Sequence, residues 1–311
     1  MKIKLAILLT LFLSCLAKAD EVQVMVLYPR DFAATYNPDL IINNYLSYSN
    51  SVFQNSNMAT RLYLKYHQAF ELPNNGEVSG NLKDELVSSK EIINLRNIYR
   101  PDIVVYLTRA SSKLCGIANF PPHTRDARSS EDSYSTNREM ALAGGVSVVG
   151  WNCPTYVFTH EIGHNFGGGH GPVDINVSYL DGLISDNIDD HPGQPLTWSR
   201  GHGVRDVFRT VMTYPEKFGS APVVAVHSNP NVLHNSFPSG TSYRNNAAGM
   251  DLIVSRHVSH YSSCYPGVWR QEFARGPYDV FYCGGTCVTY EMKRSSDPRL
   301  GLVKTCTAYA D

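Results

Sequence analysis

The chain has 311 residues, 43% of them apolar and 18% charged, with a formal net charge of −1. That balance is ordinary for a soluble globular protein, and the length allows one sizeable domain with a buried core plus a small addition. It gives no electrostatic basis for binding nucleic acid or an anionic membrane surface.

The N-terminus reads MKIKLAILLTLFLSCLAKAD, with Lys2 and Lys4 ahead of an apolar run and Ala17-Lys18-Ala19 behind it. This order of charge, apolar run and small-x-small marks residues 1–19 as an export signal cleaved after Ala19. A membrane anchor fits less well, because the run is shorter than the ~20 residues needed to span a bilayer. Phe12 and Leu13 fit a lipoprotein signal ahead of Cys15 poorly. The expectation is a secreted or periplasmic monomer with no stable membrane insertion after signal removal.

Residues 22–29 (VQVMVLYP) alternate and are rich in β-branched side chains, which predicts a strand. Asn37-Pro38 reads as a helix start, followed by Ile41, Tyr45, Tyr48 and Val52 at helical spacing. A second strand is expected over 61–70, a helix over about 82–99 that stops before Pro101, and a short apolar strand of the buried kind over 103–108. This alternation predicts an α/β layer with mostly parallel strands. Cys115-Gly116-Ile117-Ala118 reads as an edge strand, 121–138 as a polar loop, and 141–150 as a further strand leading to Cys153-Pro154, where a helix is expected to begin. A last helix is expected over 245–260. Residues 264–311 hold four cysteines and many aromatics and read as a small extension held by cross-links. The expected organisation is thus 1–19 signal, 20–263 catalytic domain and 264–311 cysteine-rich extension.

The helix after Pro154 carries HEIGHNFGGGH over 160–170. His160 and His164 are four residues apart, so both imidazoles leave one helical face, while Phe158, Ile162 and Phe166 repeat about 200° round the axis and can pack. Gly167 permits the positive φ that ends a helix, and Gly168 and Gly169 are expected to give slack for His170 to return as a third ligand. Three neutral imidazoles with an open fourth position describe a catalytic zinc site binding one Zn2+ per chain. A structural zinc site would need a fourth protein ligand, and no Cys or His lies at useful spacing. Such a metal lowers the pKa of bound water from 15.7 to about 7, and Glu161 is placed to take that water's proton during attack on a carbonyl.

The string H-E-x-x-H-x-x-G-x-x-H, here His160, Glu161, His164, Gly167 and His170, resembles the signature of the metzincin zinc endopeptidases. Thr210-Val211-Met212-Thr213-Tyr214-Pro215 resembles the Met-turn of that clan, which would make Met212 an apolar floor under the ligands. The order of strands and helices, the Cys-Gly-Ile-Ala segment and Ser228-Asn229-Pro230-Asn231-Val232 look most like the reprolysin-like branch and related bacterial peptidyl-Asp metallopeptidases. The resemblance covers about residues 21–263. It implies a metzincin-like fold, with a mostly parallel twisted sheet, a central zinc helix and an irregular C-terminal part. It also implies a protein or peptide substrate paired on an edge strand, for which Gly116, Ile117 and Ala118 are the candidates.

Three departures bear on the subfamily and its control. Gly171 and Pro172 follow the third histidine where reprolysins carry an aspartate, and Asp174 comes later. Tyr214 stands two residues after Met212, as in astacins and serralysins, where such a tyrosine stabilises the tetrahedral intermediate. The first strand follows Ala19 at once, so the enzyme is expected to be active on folding and metal uptake. If the peptidyl-Asp resemblance holds, a basic residue such as Lys217 favours an acidic substrate residue. The alternative function is a toxin-like or adhesive binding protein on the same scaffold, contacting its partner through the extension.

After loss of Cys15, Cys115, Cys153, Cys264, Cys283, Cys287 and Cys306 remain, and an even count in an exported chain argues for three disulfides. A C-x3-C metal site at Cys283 and Cys287 lacks a second matched pair. Cys115–Cys153 would tie the edge strand to the start of the zinc helix, with Cys264–Cys287 and Cys283–Cys306 in the extension.

Overall fold

The computed structural model describes residues 20–73, 76–120, 145–171, 196 and 198–256, and the backbone of 286–294 and 302–310. The expected export signal at 1–19, Cys264 and Cys283 lie outside the described residues, as do the side chains of Cys287 and Cys306, so two of the three expected disulfides fall outside them.

Five strands form one sheet in the order β2-β1-β3-β5-β4, with β1 Glu21–Tyr28, β2 Arg61–Ala69, β3 Ile103–Thr108, β4 Gly116–Ala118 and β5 Val146–Gly150. β1 is parallel to both β2 and β3, β3 is parallel to β5, and only the edge strand β4 runs antiparallel. The expected mostly parallel α/β sheet is therefore present. Successive side chains of β1 go to opposite faces. Val22, Val24, Val26 and Tyr28 enter one core, while Met25 and Leu27 enter the other. Because both faces are covered, β3 and β5 are buried along their whole length, which is why they read as continuous apolar runs.

The first face is covered by α2 (Pro38–Asn55) and α5 (Tyr156–Asn165), with α6 (Asn246–Arg256) contributing Met250, Ile253 and Val254. Asn37 caps α2 by accepting from the Leu40 amide, with Pro38 in the first turn. Its buried stripe is Ile42, Tyr45, Leu46, Ser49, Val52 and Phe53, displaced by one position from the expected Ile41 and Tyr48. The opposite face is covered by α3 (Gly80–Ser88) and α4 (Lys90–Tyr99). These replace the single helix expected over 82–99. Ser89 stops α3 in an extended conformation, and its hydroxyl accepts from the Ile92 amide to cap α4. A short helix α1 (Arg30–Thr35) follows β1 without having been expected.

β5 starts at Val146 rather than 141, and residues 141–144 lie outside the described residues, as does the polar loop expected at 121–138. Between α5 and α6 the regular structure among the described residues is sparse: β6 (Gly203–Val204) pairs with β7 (Phe208–Arg209), and β8 (Leu233–His234) pairs with β9 (Phe237–Pro238). In the extension, β10 (Thr286–Arg294) and β11 (Leu302–Ala310) form an antiparallel pair, with Cys287 opposite Tyr309 and Cys306 opposite Tyr290. No helix among the described residues is long and apolar enough to cross a membrane.

Candidate metal centre

Helix α5 leaves β5 through a turn held by the Cys115–Cys153 disulfide, which ties the start of β4 to the start of the helix as the sequence predicted. Its apolar side is locked against α2: Tyr45 stacks on Phe158 at 4.8 Å, Phe53 meets Phe166 at 5.8 Å, and the buried Ser49 and Thr159 hydroxyls share a 2.8 Å hydrogen bond. That packing fixes which way the opposite face points.

The helix ends at Gly167, whose φ is 83°. The Gly168 amide donates to the Gly163 carbonyl and the Gly167 amide to the His164 carbonyl, the paired bonds of a Schellman stop with glycine in the left-handed position. The next two glycines do not act as slack. A Cβ on Gly168 would lie 2.0 Å from Met250 Cε, and Gly169 is bridged to Arg200, donating to the Ser199 carbonyl and accepting from the Gly201 amide. The Gly171 amide then donates to the Met212 carbonyl, and its Cα lies so close to Gly201 and Thr213 that a Cβ would meet both at 3.0 Å. The chain is zippered back, and this directs His170 to the other two imidazoles.

The three rings converge. His170 Nε2 is 3.0 Å from the Nε2 atoms of both His160 and His164. His160 Nδ1 lies 2.8 Å from the Val211 carbonyl, and His164 Nδ1 lies 2.8 Å from the Gly168 carbonyl. A carbonyl only accepts, so both Nδ1 atoms carry the proton, and in the neutral ring each Nε2 presents a lone pair to the common centre. This tautomer and its carbonyl anchors are what a metal-ligating histidine needs. Burial lowers the His160 imidazole to about 4; the Val211 carbonyl opposes this, and the positive charge of Arg209 adds to it. The His160 ring therefore stays neutral, and the donor set of three imidazoles fits a borderline divalent cation such as zinc. Among the described residues these three histidines are the only cluster of this kind, and no fourth protein ligand closes it.

Glu161 is 5% exposed, and burial raises its carboxyl to about 8; a cation between the imidazoles would act in the opposite sense. Its side chain lies against the edge strand: a Cβ on Gly116 would fall 2.4 Å from Glu161 Oε1. Ile117 packs on the α3 and α4 side of the sheet. Asn165 holds the strand's far end by donating Nδ2 to the carbonyls of Asn119 and Val146.

Below the helix, Met212 is fully buried, and a Cβ on Gly163 would meet its Sδ at 2.5 Å. The Tyr214 ring lies 4.2 Å from His170 and 6.2 Å from His160 while remaining 43% exposed. Burial first, then the charges of Glu161 and Glu216, push its phenol up to about 12. Lys217 is only half-buried, on a short 3-10 turn (Pro215–Lys217). Sequence reasoning missed two residues here. Arg209 is buried between Tyr156 and Thr213, and Met250 packs under Gly168. No local pattern marks either, because Tyr156 and Gly168 are distant from them in sequence.

Residues 41–171 match the sequence profile of the metallo-peptidase family M12B, reprolysin-like. That segment is similar to the reprolysin-like metallo-peptidases. The chain is 28% identical over 227 residues to a peptidyl-Asp metalloendopeptidase of Pseudomonas aeruginosa, and the match takes in 70% of this chain but only 36% of that protein. A solved structure described as a chaperone-substrate complex shares the fold at TM-score 0.54 and 14% identity, over 78% of this chain and 36% of that one.

Proposed function

We propose that the chain is an exported zinc-dependent endopeptidase that hydrolyses peptide bonds of extracellular proteins. The observation that carries this reading is the convergence of three imidazoles, with Nδ1 of His160 and of His164 anchored on carbonyls, beside the buried carboxyl of Glu161. His160, His164 and His170 would hold the ion. Bound there, Zn2+ would supply Lewis acidity toward the scissile carbonyl and a water acidic enough to be deprotonated near neutral pH.

The remaining chemistry belongs to the chain itself. The free side of β4, at Gly116, Ile117 and Ala118, pairs with an extended substrate, because β4 is the last strand of the sheet and only β5 lies beside it among the described residues. Its contact with Glu161 puts the bound peptide backbone beside the carboxylate. Glu161 accepts the proton of the attacking water and passes it to the departing amine. The phenol of Tyr214, kept protonated by its raised pKa, donates to the oxyanion of the tetrahedral intermediate. Met212, packed against Gly163, serves as the apolar floor of the Met-turn. From the similarity to the Pseudomonas aeruginosa peptidyl-Asp metalloendopeptidase we infer a substrate with an aspartate adjoining the scissile bond. The Cys115–Cys153 bridge supports an oxidising, extracellular or periplasmic setting. No observation among the described residues favours a binding-only role.

The test compares wild-type protein with Glu161→Ala on casein, with bound zinc quantified. Loss of hydrolysis by about 10²–10⁴-fold with zinc retained is expected for removal of a general base. Equal hydrolysis by the two proteins would refute the assignment.

A further inference from the structure

Arg209 presents a buried positive charge with no negative partner among the described residues. The residue is 7% exposed, and its backbone is pinned by the Arg209 amide donating to the Pro222 carbonyl and its carbonyl accepting from the Val224 amide. Its guanidinium donates from Nη1 to the Thr213 carbonyl at 2.9 Å and from Nη2 to the Tyr156 hydroxyl at 3.5 Å, and it lies 5.6 Å above the Tyr156 ring. Nε has no hydrogen-bond partner. Among the described residues no carboxylate lies within ion-pair distance: Glu161 faces Gly116, and the exposed Glu216 forms no pair with it. A guanidinium cannot shed its proton, and an arginine buried this deeply is ordinarily paired with a carboxylate.

Its position gives that missing partner a source. Tyr156, His160 and His164 form one i, i+4, i+8 stripe on α5, so Tyr156 lies one turn, about 6 Å along the axis, before the first ligand. Thr213 lies between Met212 and Tyr214, whose ring is 4.2 Å from His170. The guanidinium thus bridges the two elements that border the three imidazoles on one side. The Nη2 contact with Tyr156 is at the outer limit of hydrogen-bond distance, so a carboxylate arriving there exchanges a weak neutral acceptor for a charged, bidentate one.

Resting on the endopeptidase reading above, we propose that Arg209 is the specificity-determining residue of the site, receiving the carboxylate of an aspartate that adjoins the scissile bond. Lys217, the candidate suggested by the sequence, is half-buried on the turn beyond Tyr214 and lacks this placement between helix and ligands.

The test separates binding from hydrolysis. Matched fluorescent peptides carrying Asp or Asn on either side of the scissile bond are titrated against zinc-loaded Glu161→Ala protein, and their kcat/KM values are measured with wild-type protein. The Asp peptide is expected to bind and react about 10–100-fold better than its Asn twin at one of the two positions, as for a charged hydrogen bond gained. Arg209→Met should bring the ratio to about one by weakening the Asp peptide alone, whereas Arg209→Lys should keep part of it. A purely structural arginine would instead lower both peptides equally and leave the ratio unchanged. Equal handling of the two peptides by protein with Arg209 intact overturns the proposal without needing any arginine variant. Absence of hydrolysis of every peptide by wild-type protein overturns the endopeptidase reading, while the binding ratio still decides the role of Arg209.

Discussion

Replacing Gly116 by alanine isolates the contact between edge strand and base. The added methyl would lie 2.4 Å from Glu161 Oε1, 2.5 Å from Cγ and 2.6 Å from Cδ. Heavy atoms settle at about 3.5–4.0 Å, so either the carboxyl or the strand must retreat by about 1 Å. The strand is held by its pairing with β5, by the Cys115–Cys153 bridge and by Asn165, whereas the carboxyl ends a rotatable side chain. The carboxyl therefore moves. An off-rotamer side chain costs about 0.5–1.5 kcal/mol, so global stability falls little. A displacement of about 1 Å in a reacting group costs on the order of 10²-fold in rate. Gly116→Ala should thus lose about a hundredfold in kcat on a quenched fluorescent peptide, with bound zinc unchanged and the unfolding free energy lowered by no more than about 1.5 kcal/mol. If kcat stays within about threefold of wild type while zinc and stability also hold, the contact does not position the base.

Gly168→Ala places a methyl 2.0 Å from Met250 Cε and 3.0 Å from the Gly163 carbonyl, so it should cost about 1–3 kcal/mol by overpacking, read by denaturant unfolding. Combining it with Met250→Ala should cost less than the sum of the two single changes, and strict additivity would show that the two residues do not touch. His227 is fully buried, has no hydrogen-bond partner on either ring nitrogen among the described residues, stacks on Phe53 at 5.6 Å, and is lowered by burial to about 3, with the charge of His160 adding to the effect. A folded-state pKa below the ordinary 6.5 means that stability is intact above about 6.5 and is lost as pH falls toward 3, because the unfolded chain takes the proton first. His227→Leu should therefore flatten the acid limb of the stability curve across that window, and a parallel loss in both proteins would assign the limb to other groups.

The sheet and the grouping of the three histidines were legible because their signals are local. Apolar alternation marks β1, a continuous apolar run marks β3, and the i, i+4 histidines need only the helical repeat to share a face. The break between α3 and α4 was missed because Leu82, Leu86, Ile92 and Leu95 keep an apolar rhythm across it, while Ser89 acts through a cap that hydrophobic periodicity does not report. The glycines after His164 were misjudged for a related reason. Sequence shows that glycine is permitted to bend, and Gly167 does so at φ 83°, but the need for glycine at 168, 171 and 201 comes from Met250, Thr213 and the Met212 carbonyl, all far along the chain.

Those close approaches also explain how a region with little regular structure can hold a precise site. Gly169 donates to the Ser199 carbonyl and accepts from the Gly201 amide across one bridge, Gly171 donates to the Met212 carbonyl, and that carbonyl comes so near Gly201 that a Cβ there would lie 2.3 Å away. Together these contacts fix the segment after α5, through residues 199–201 and Met212, to the segment that carries Val211, whose carbonyl sets the His160 tautomer, and Tyr214, whose ring faces His170. Backbone packed against backbone leaves few alternative registers, because shifting the segment by one residue would bring a side chain where only a hydrogen atom fits. Precision in the ligand triad is thus obtained by excluding Cβ atoms rather than by adding secondary structure. It follows that Gly201→Ala, which meets a carbonyl rather than a flexible side chain, should weaken zinc binding more than Gly168→Ala does; metal titrations giving equal affinities for the two variants would place the origin of the triad's order elsewhere.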